Sequence, residues 1–84
     1  MGAATKQDIS DWLNRGKKEG ATHVIVVCDD YDHEDYPVYV QPGEDPREVS
    51  KRFIGTNNMQ QIMEVYKLSD DLEAQLSEHR AFHW

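Results

Sequence analysis

Between Cys28 and Tyr36 the chain reads Asp29-Asp30-Tyr31-Asp32-His33-Glu34-Asp35, directly after its most apolar run. Carboxylate oxygens this dense are hard ligands of the kind calcium or magnesium takes. Neighbouring carboxyls can also divide acid and base roles, provided one is desolvated enough to hold a proton near neutral pH. Asp29, next to the apolar run, is the candidate for that shift, and Asp29, Asp32, His33 and Asp35 would form a divalent-metal site. The spacing departs from the EF-hand loop, with no glycine at its turn and no glutamate closing it. Two other readings need no metal. The acids can be the solvated tip of a hairpin, whose charges also keep an edge strand from pairing with another chain. They can instead be a partner-binding loop, in which Asp30, Asp32, His33, Glu34 and Asp35 steer a basic surface and Tyr31, Tyr36 and Tyr39 supply the buried contact.

The remaining reactive side chains point away from catalysis. Cys28 has acids as its sequence neighbours, and a nucleophilic thiolate needs the opposite setting. It reads as an inert core thiol. His79 and His83 are four apart and could share a metal on a continuing helix, but they read as part of an exposed, fraying terminus. His23, at the mouth of the apolar run, is expected to pair with a neighbouring carboxylate. The chain carries no P-loop, G-x-G-x-x-G, G-x-S-x-G or C-x-x-C. Gly16 and Gly20 mark weak points or ends of a helix. A domain this small also has little room to enclose a substrate. No enzyme activity and no cofactor are expected.

Composition bounds the partners. With 84 residues the chain is read as one domain, 1–84, with a short N-terminal tail at 1–4. Sixteen acidic against nine basic residues give a net charge of −7. That balance opposes a phosphate backbone, because the bases at Arg15, Lys17, Lys18, Lys51 and Arg52 are not interleaved with aromatic residues. No nucleic-acid partner is expected. An acidic surface suits a basic protein partner or plain solubility. No apolar run reaches the roughly 20 residues of a membrane helix, and the first ten residues lack the apolar core of a signal peptide. A single cysteine favours a reducing cytoplasm.

Local signals place the elements. Thr5 with Asp8 is a weak capping box, and Ile9, Trp12 and Leu13 form one apolar face, so a helix is predicted over about 6–19, ending at Gly20. Thr22–Asp29 is apolar on both faces and rich in β-branched residues, as a strand covered on both sides requires. Tyr36–Gln41 is a second strand, and Pro37 puts it at an edge. The acidic stretch is the hairpin loop between them. Asp45-Pro46-Arg47-Glu48 carries an N-cap, a proline in the first turn and an acid at the third position. Its helix runs through Val49 and Phe53 towards Gly55. Between Asn57 and Leu68 two periods compete. Met59, Ile62, Met63 and Tyr66 have helical spacing, while the same stretch also alternates as a strand does. The strand reading, near 60–68, is preferred. Ser69 then caps a last helix with Asp70 and Asp71 in its first turn, and Leu72, Leu76 and Phe82 face inward.

The order α-β-β-α-β-α with a right-handed crossover between the second and third strands gives a sheet of order 2-1-3. The expected fold is a small α+β domain whose apolar strand is central. A strand edge, Tyr36–Gln41 or 60–68, offers a further reading as a structural homodimer.

Three stretches, "DISDWLNRGKKEGATHVIVVCDDYDHEDYPVYV", "MEVYKLSDDLEAQL" and "HRAFHW", occur in an order that resembles small uncharacterised proteins of tailed bacteriophages and prophages. The resemblance covers nearly the whole chain. It implies a phage gene product acting in the cytoplasm of a bacterial host by binding, and modulating or inhibiting, a host protein. It carries no catalytic residues.

Overall fold

A computed structural model describes residues 4–31, 34–53, 60–78 and 80–84. The elements are α1 (Lys6–Lys18), β1 (His23–Asp29), β2 (Glu34–Val40), α2 (Pro46–Lys51), β3 (Gln60–Lys67) and α3 (Leu72–Leu76). The sheet has the order β2-β1-β3, and β1 pairs antiparallel with both neighbours. The expected α+β fold, element order and sheet order are therefore all present.

The central strand shows why its sequence has no polar face. Val24 and Val26 join Ile9, Leu13, Tyr66, Leu68 and Ala81 in a core on one side of the sheet, with Leu72 and Leu76 of α3 packed against it. Ile25 and Val27 face the other side and meet Val40, Val49 and Val65. Successive β-strand side chains point to opposite faces, so a strand between two helical layers must be apolar at every position.

The starts of α1 and α2 are held by the chemistry their sequence announces. Thr5 and Asp8 form the reciprocal capping box, with the Asp8 amide donating to Thr5 Oγ1 at 3.1 Å and the Thr5 amide to Asp8 Oδ2 at 3.0 Å. The end of α1 is a Schellman motif. The Ala21 amide donates to the Gly16 carbonyl at 2.9 Å and the Gly20 amide to that of Lys17 at 3.1 Å. Gly20 has φ +80°, a backbone conformation that strains a residue with a side chain. In α2 the Asp45 carboxylate accepts from the Arg47 amide at 2.9 Å.

Several expectations need correction. β2 begins at Glu34, because Asp29 pairs with Glu34 and Cys28 with Asp35. Glu34 and Asp35 are thus strand residues and not part of the loop. The last helix is capped by Asp71, whose Oδ1 accepts from the amides of Glu73 at 3.0 Å and Ala74 at 3.3 Å. Ser69 and Asp70 instead lie in the turn that closes β3, where the Asp70 amide donates to the Lys67 carbonyl at 3.1 Å. Phe82 is 45% exposed, and it is Ala81 and Trp84 that pack inward. The helix expected to reach Gly55 has its last helical residue at Lys51, and Gly55 lies outside the described residues.

The chain's last residues are docked, not frayed. The Val65 amide donates to the Ala81 carbonyl at 2.7 Å, and the His83 amide to the Val65 carbonyl at 2.9 Å. Phe82 thereby forms a parallel bridge with Val65, a short fourth strand on the outer side of β3. Two residues on, the side-chain amide of Gln75 takes over that edge. Its Oε1 accepts from the Lys67 amide at 2.8 Å and its Nε2 donates to the Lys67 carbonyl at 3.0 Å. Gln75 is only 2% exposed, a buried amide whose hydrogen bonds are all met, as burial demands.

Candidate functional site

The two ends of β1 hold the features that could act. At the far end, with Asp29, the acidic hairpin is built mostly of carboxylates that already have work. Asp29 Oδ1 accepts from the Tyr31 amide at 2.8 Å, an Asx turn that starts the loop. Asp35 Oδ2 accepts from the Ala4 amide at 3.0 Å and ties the start of α1 to the sheet. Asp30 Oδ1 accepts from Gln61 Nε2 at 2.9 Å, across to β3. Glu34 is exposed. Asp32 and His33 lie outside the described residues, so the metal site expected from Asp29, Asp32, His33 and Asp35 is described only in part. Among the described residues, no group of three or more His, Cys, Asp or Glu side chains comes together to hold an ion.

The tyrosines separate. Tyr31 stands 77% exposed at the hairpin's end. Tyr36 packs on the α2 side, edge-on to Phe53 with ring centroids 6.4 Å apart. Tyr39 packs on the α1 side. They occupy opposite faces because Tyr36 and Tyr39 are three residues apart in a strand of period two. Burial first, and then the Asp29 charge, raises the Tyr36 phenol above its ordinary value. Burial likewise raises that of Tyr39. Of the expected aromatic anchors, Tyr31 is the one held out to solvent beside the acids.

Cys28, expected as an inert core thiol, is half-buried and belongs to neither core. Its thiol is pushed up by burial, then by a hydrogen bond to Asp35 across the ladder and by the charges of Asp35, Asp30 and Asp29. A raised thiol is mostly protonated near neutral pH and a poor nucleophile.

At the near end of β1, His23 is 7% exposed and both ring nitrogens are engaged. Nε2 is 2.7 Å from the Trp84 main-chain oxygen and Nδ1 is 3.0 Å from Thr22 Oγ1. The Trp84 oxygen only accepts, so Nε2 carries hydrogen, while the Thr22 hydroxyl beside Nδ1 also donates to the Val40 carbonyl at 3.3 Å. Among the described residues no Asp or Glu side chain meets His23, whose partners are this hydroxyl and the Trp84 oxygen. Nothing in local sequence pairs His23 with Trp84, 61 positions away. The Arg47 guanidinium sits 5.2 Å from the Trp84 ring centroid and helps pin the same segment. His83 is bound to Glu78 at 2.9 Å. Because α3 ends at Leu76, the helical spacing that would let His79 and His83 share an ion is not formed, and His79 itself lies outside the described residues.

Beside His23 is an open depression of about 480 Å³ lined by Lys17, Ala21, Thr22, His23, Lys67, Leu68 and Ser69. Its volume exceeds what the chain's size led us to expect, and it is a recess at the sheet's end rather than an enclosed cavity. Among the described residues no helix is long and apolar enough to cross a membrane. Compared with known proteins, the chain matches no family model, no curated protein and no solved structure.

Proposed function

We propose that this is a non-catalytic binding protein whose acidic hairpin engages a basic surface on a protein partner. Tyr31 carries the reading. Its backbone is fixed by the Asp29 carboxylate at 2.8 Å while its side chain is 77% exposed among acids. A large amphipathic ring held outward on a pre-shaped turn loses little freedom on binding, and that is how tyrosine serves as an interface anchor. Asp30 and Glu34 around it add attraction for a basic partner. Asp29, Asp35 and Tyr36 build the turn and its footing. The resemblance to phage proteins makes a bacterial host protein the expected partner and the bacterial cytoplasm the expected setting.

The test is capture from bacterial lysate on immobilised protein, read by mass spectrometry, beside Tyr31→Ala and a combined Asp30→Asn, Glu34→Gln variant. One basic protein retained by the unaltered chain and lost from both variants, at unchanged melting temperature, supports the reading. Equal retention by both variants overturns it.

A second reading has its own observation. The outer edge of β3 is occupied at Val65 and Lys67, whereas among the described residues β2 makes no backbone hydrogen bonds outside its pairing with the Thr22–Asp29 segment. A homodimer through a strand edge would therefore use β2. Mass in solution distinguishes it from a monomer.

A further inference from the structure

We infer that the recess at the near end of β1 is a binding site for a small organic carboxylate, separate from the hairpin. The two sites lie at opposite ends of a seven-residue strand, roughly 20 Å apart by strand geometry. The chain carries sixteen acids and nine bases, yet the charged side chains lining this recess are Lys17 and Lys67, both cations. Neither makes an ion pair among the described residues, as is also true of Lys6 and Lys18, so what sets these two apart is that they line the same recess. In a protein of net charge −7, two cations kept beside one recess without a counter-ion leave a local site for an anion.

The remainder of the lining selects the kind of anion. Ala21 and Leu68 belong to the buried core and give the recess an apolar floor. Most of the backbone donors that could cradle a phosphate are already spent, the Ser69 amide being the exception. The amides of Ala21, Thr22 and Leu68 donate to the carbonyls of Gly16, Val40 and Thr22, and that of Lys67 donates to Gln75. His23 is likewise committed to Thr22 and Trp84. What is left is two lysine ammonium groups, the amide and hydroxyl of Ser69, and an apolar base. That combination suits one carboxylate head on a compact apolar body better than a multiply charged phosphate. The negative end of α1 is softened here because the Schellman motif satisfies the Gly16 and Lys17 carbonyls. The same main-chain bonds hold the rim in place before any ligand arrives, which limits the ordering cost of binding.

The experiment is a titration of the intact chain, followed through the amide NMR signals of Ala21–His23 and Lys67–Ser69. Benzoate is the probe, with benzamide as its uncharged counterpart and inorganic phosphate as the charge without the body. The variants are Lys17→Gln, Lys67→Gln, and Lys67→Arg as the charge-keeping control. Saturable benzoate shifts confined to this region are expected, with affinity falling about tenfold for benzamide and for the doubly neutralised variant, as loss of charge-assisted contacts implies. Lys67→Arg should keep most of the binding. The inference is overturned by absence of saturation up to about 10 mM benzoate, by equal binding of benzamide or of phosphate, or by neutralised variants that fold and bind unchanged.

Discussion

The buried amide of Gln75 makes the sharpest prediction about what holds the β3 edge. Gln75→Leu keeps the volume and removes the polar head. The Lys67 carbonyl still accepts from the Asp70 amide at 3.1 Å, and the Asp71 carbonyl, which also takes Gln75 Nε2, still accepts from the residue 75 backbone amide at 3.2 Å. The Lys67 amide has no such reserve, since its partner is Gln75 Oε1. One orphaned donor costs about 1–3 kcal/mol, so a loss near 2 kcal/mol is expected. For a domain this size that lowers the melting temperature by about 8–16 °C. Gln75→Glu adds a sign test. As a carboxylate the introduced group can receive from the Lys67 amide but cannot donate to the carbonyls of Lys67 and Asp71. Protonated, it has one O–H to give where the amide gives two N–H groups, so it restores one of the two donations. Burial raises its folded-state pKa above the unfolded value of about 4.3. The stability it restores is therefore complete below that value and is lost as pH rises through the folded one. Urea unfolding at several pH values reads both effects. A Gln75→Leu variant within about 0.5 kcal/mol of the unaltered protein would refute the reasoning. So would a gap between Gln75→Glu and the parent that narrows as pH rises.

Three further outcomes follow from the same structure. An added methyl in Gly16→Ala would meet Leu68 Cδ1 and Val24 Cγ2 at 3.0 Å and Tyr39 Cδ1 at 3.3 Å. A helix gain of about 1 kcal/mol opposes an overpacking cost of about 1–3 kcal/mol. Calorimetry should show a net loss of about 1 kcal/mol, and a higher melting temperature would contradict this. Burial, with the nearby Glu64 and Glu78, holds the Tyr66 phenol far above its ordinary value. Its contribution is full below the unfolded value of about 10 and is lost as pH rises beyond it, so the protein should weaken in alkali, and less steeply in Tyr66→Phe. Iodoacetamide at mildly alkaline pH should alkylate Cys28 more slowly in the folded chain than in urea, and faster in Asp35→Asn, which removes the carboxylate that raises the thiol. Equal folded and unfolded rates would count against the inert reading.

Local rules reached most of the elements. The capping box at Thr5, the Schellman glycine at Gly20 and the Asp45-Pro46 start act over a few residues, and their donors and acceptors are visible in the chain. β3 was harder for a physical reason. Val26 pairs with Glu64 but Val27 with Ile62, so Met63 is an extra residue bulged out of the ladder. The bulge returns Ile62 to the α2 side while Met63 packs on the α1 side. A strand interrupted in this way loses its period of two, and the apolar residues acquire a helical look. The acidic hairpin was legible as a cluster. Which carboxylates were committed to backbone amides and to Gln61 was not, since Ala4 and Gln61 are each 31 positions from the acids they meet.

Composition and periodicity were sufficient for the central strand, because a segment covered on both faces must be apolar at every residue, wherever its neighbours come from. Local capping signals sufficed for the starts of α1 and α2, and composition for the acidic character of the hairpin. Folding alone decided that Gln75 completes the edge of β3, that Ala81–His83 extends the sheet, and that His23 meets Trp84. It also brought Lys17 and Lys67 to one recess, 50 positions apart in the chain. Each of these joins groups from distant segments, and their meeting depends on sheet register and helix placement, quantities that no short window of sequence contains.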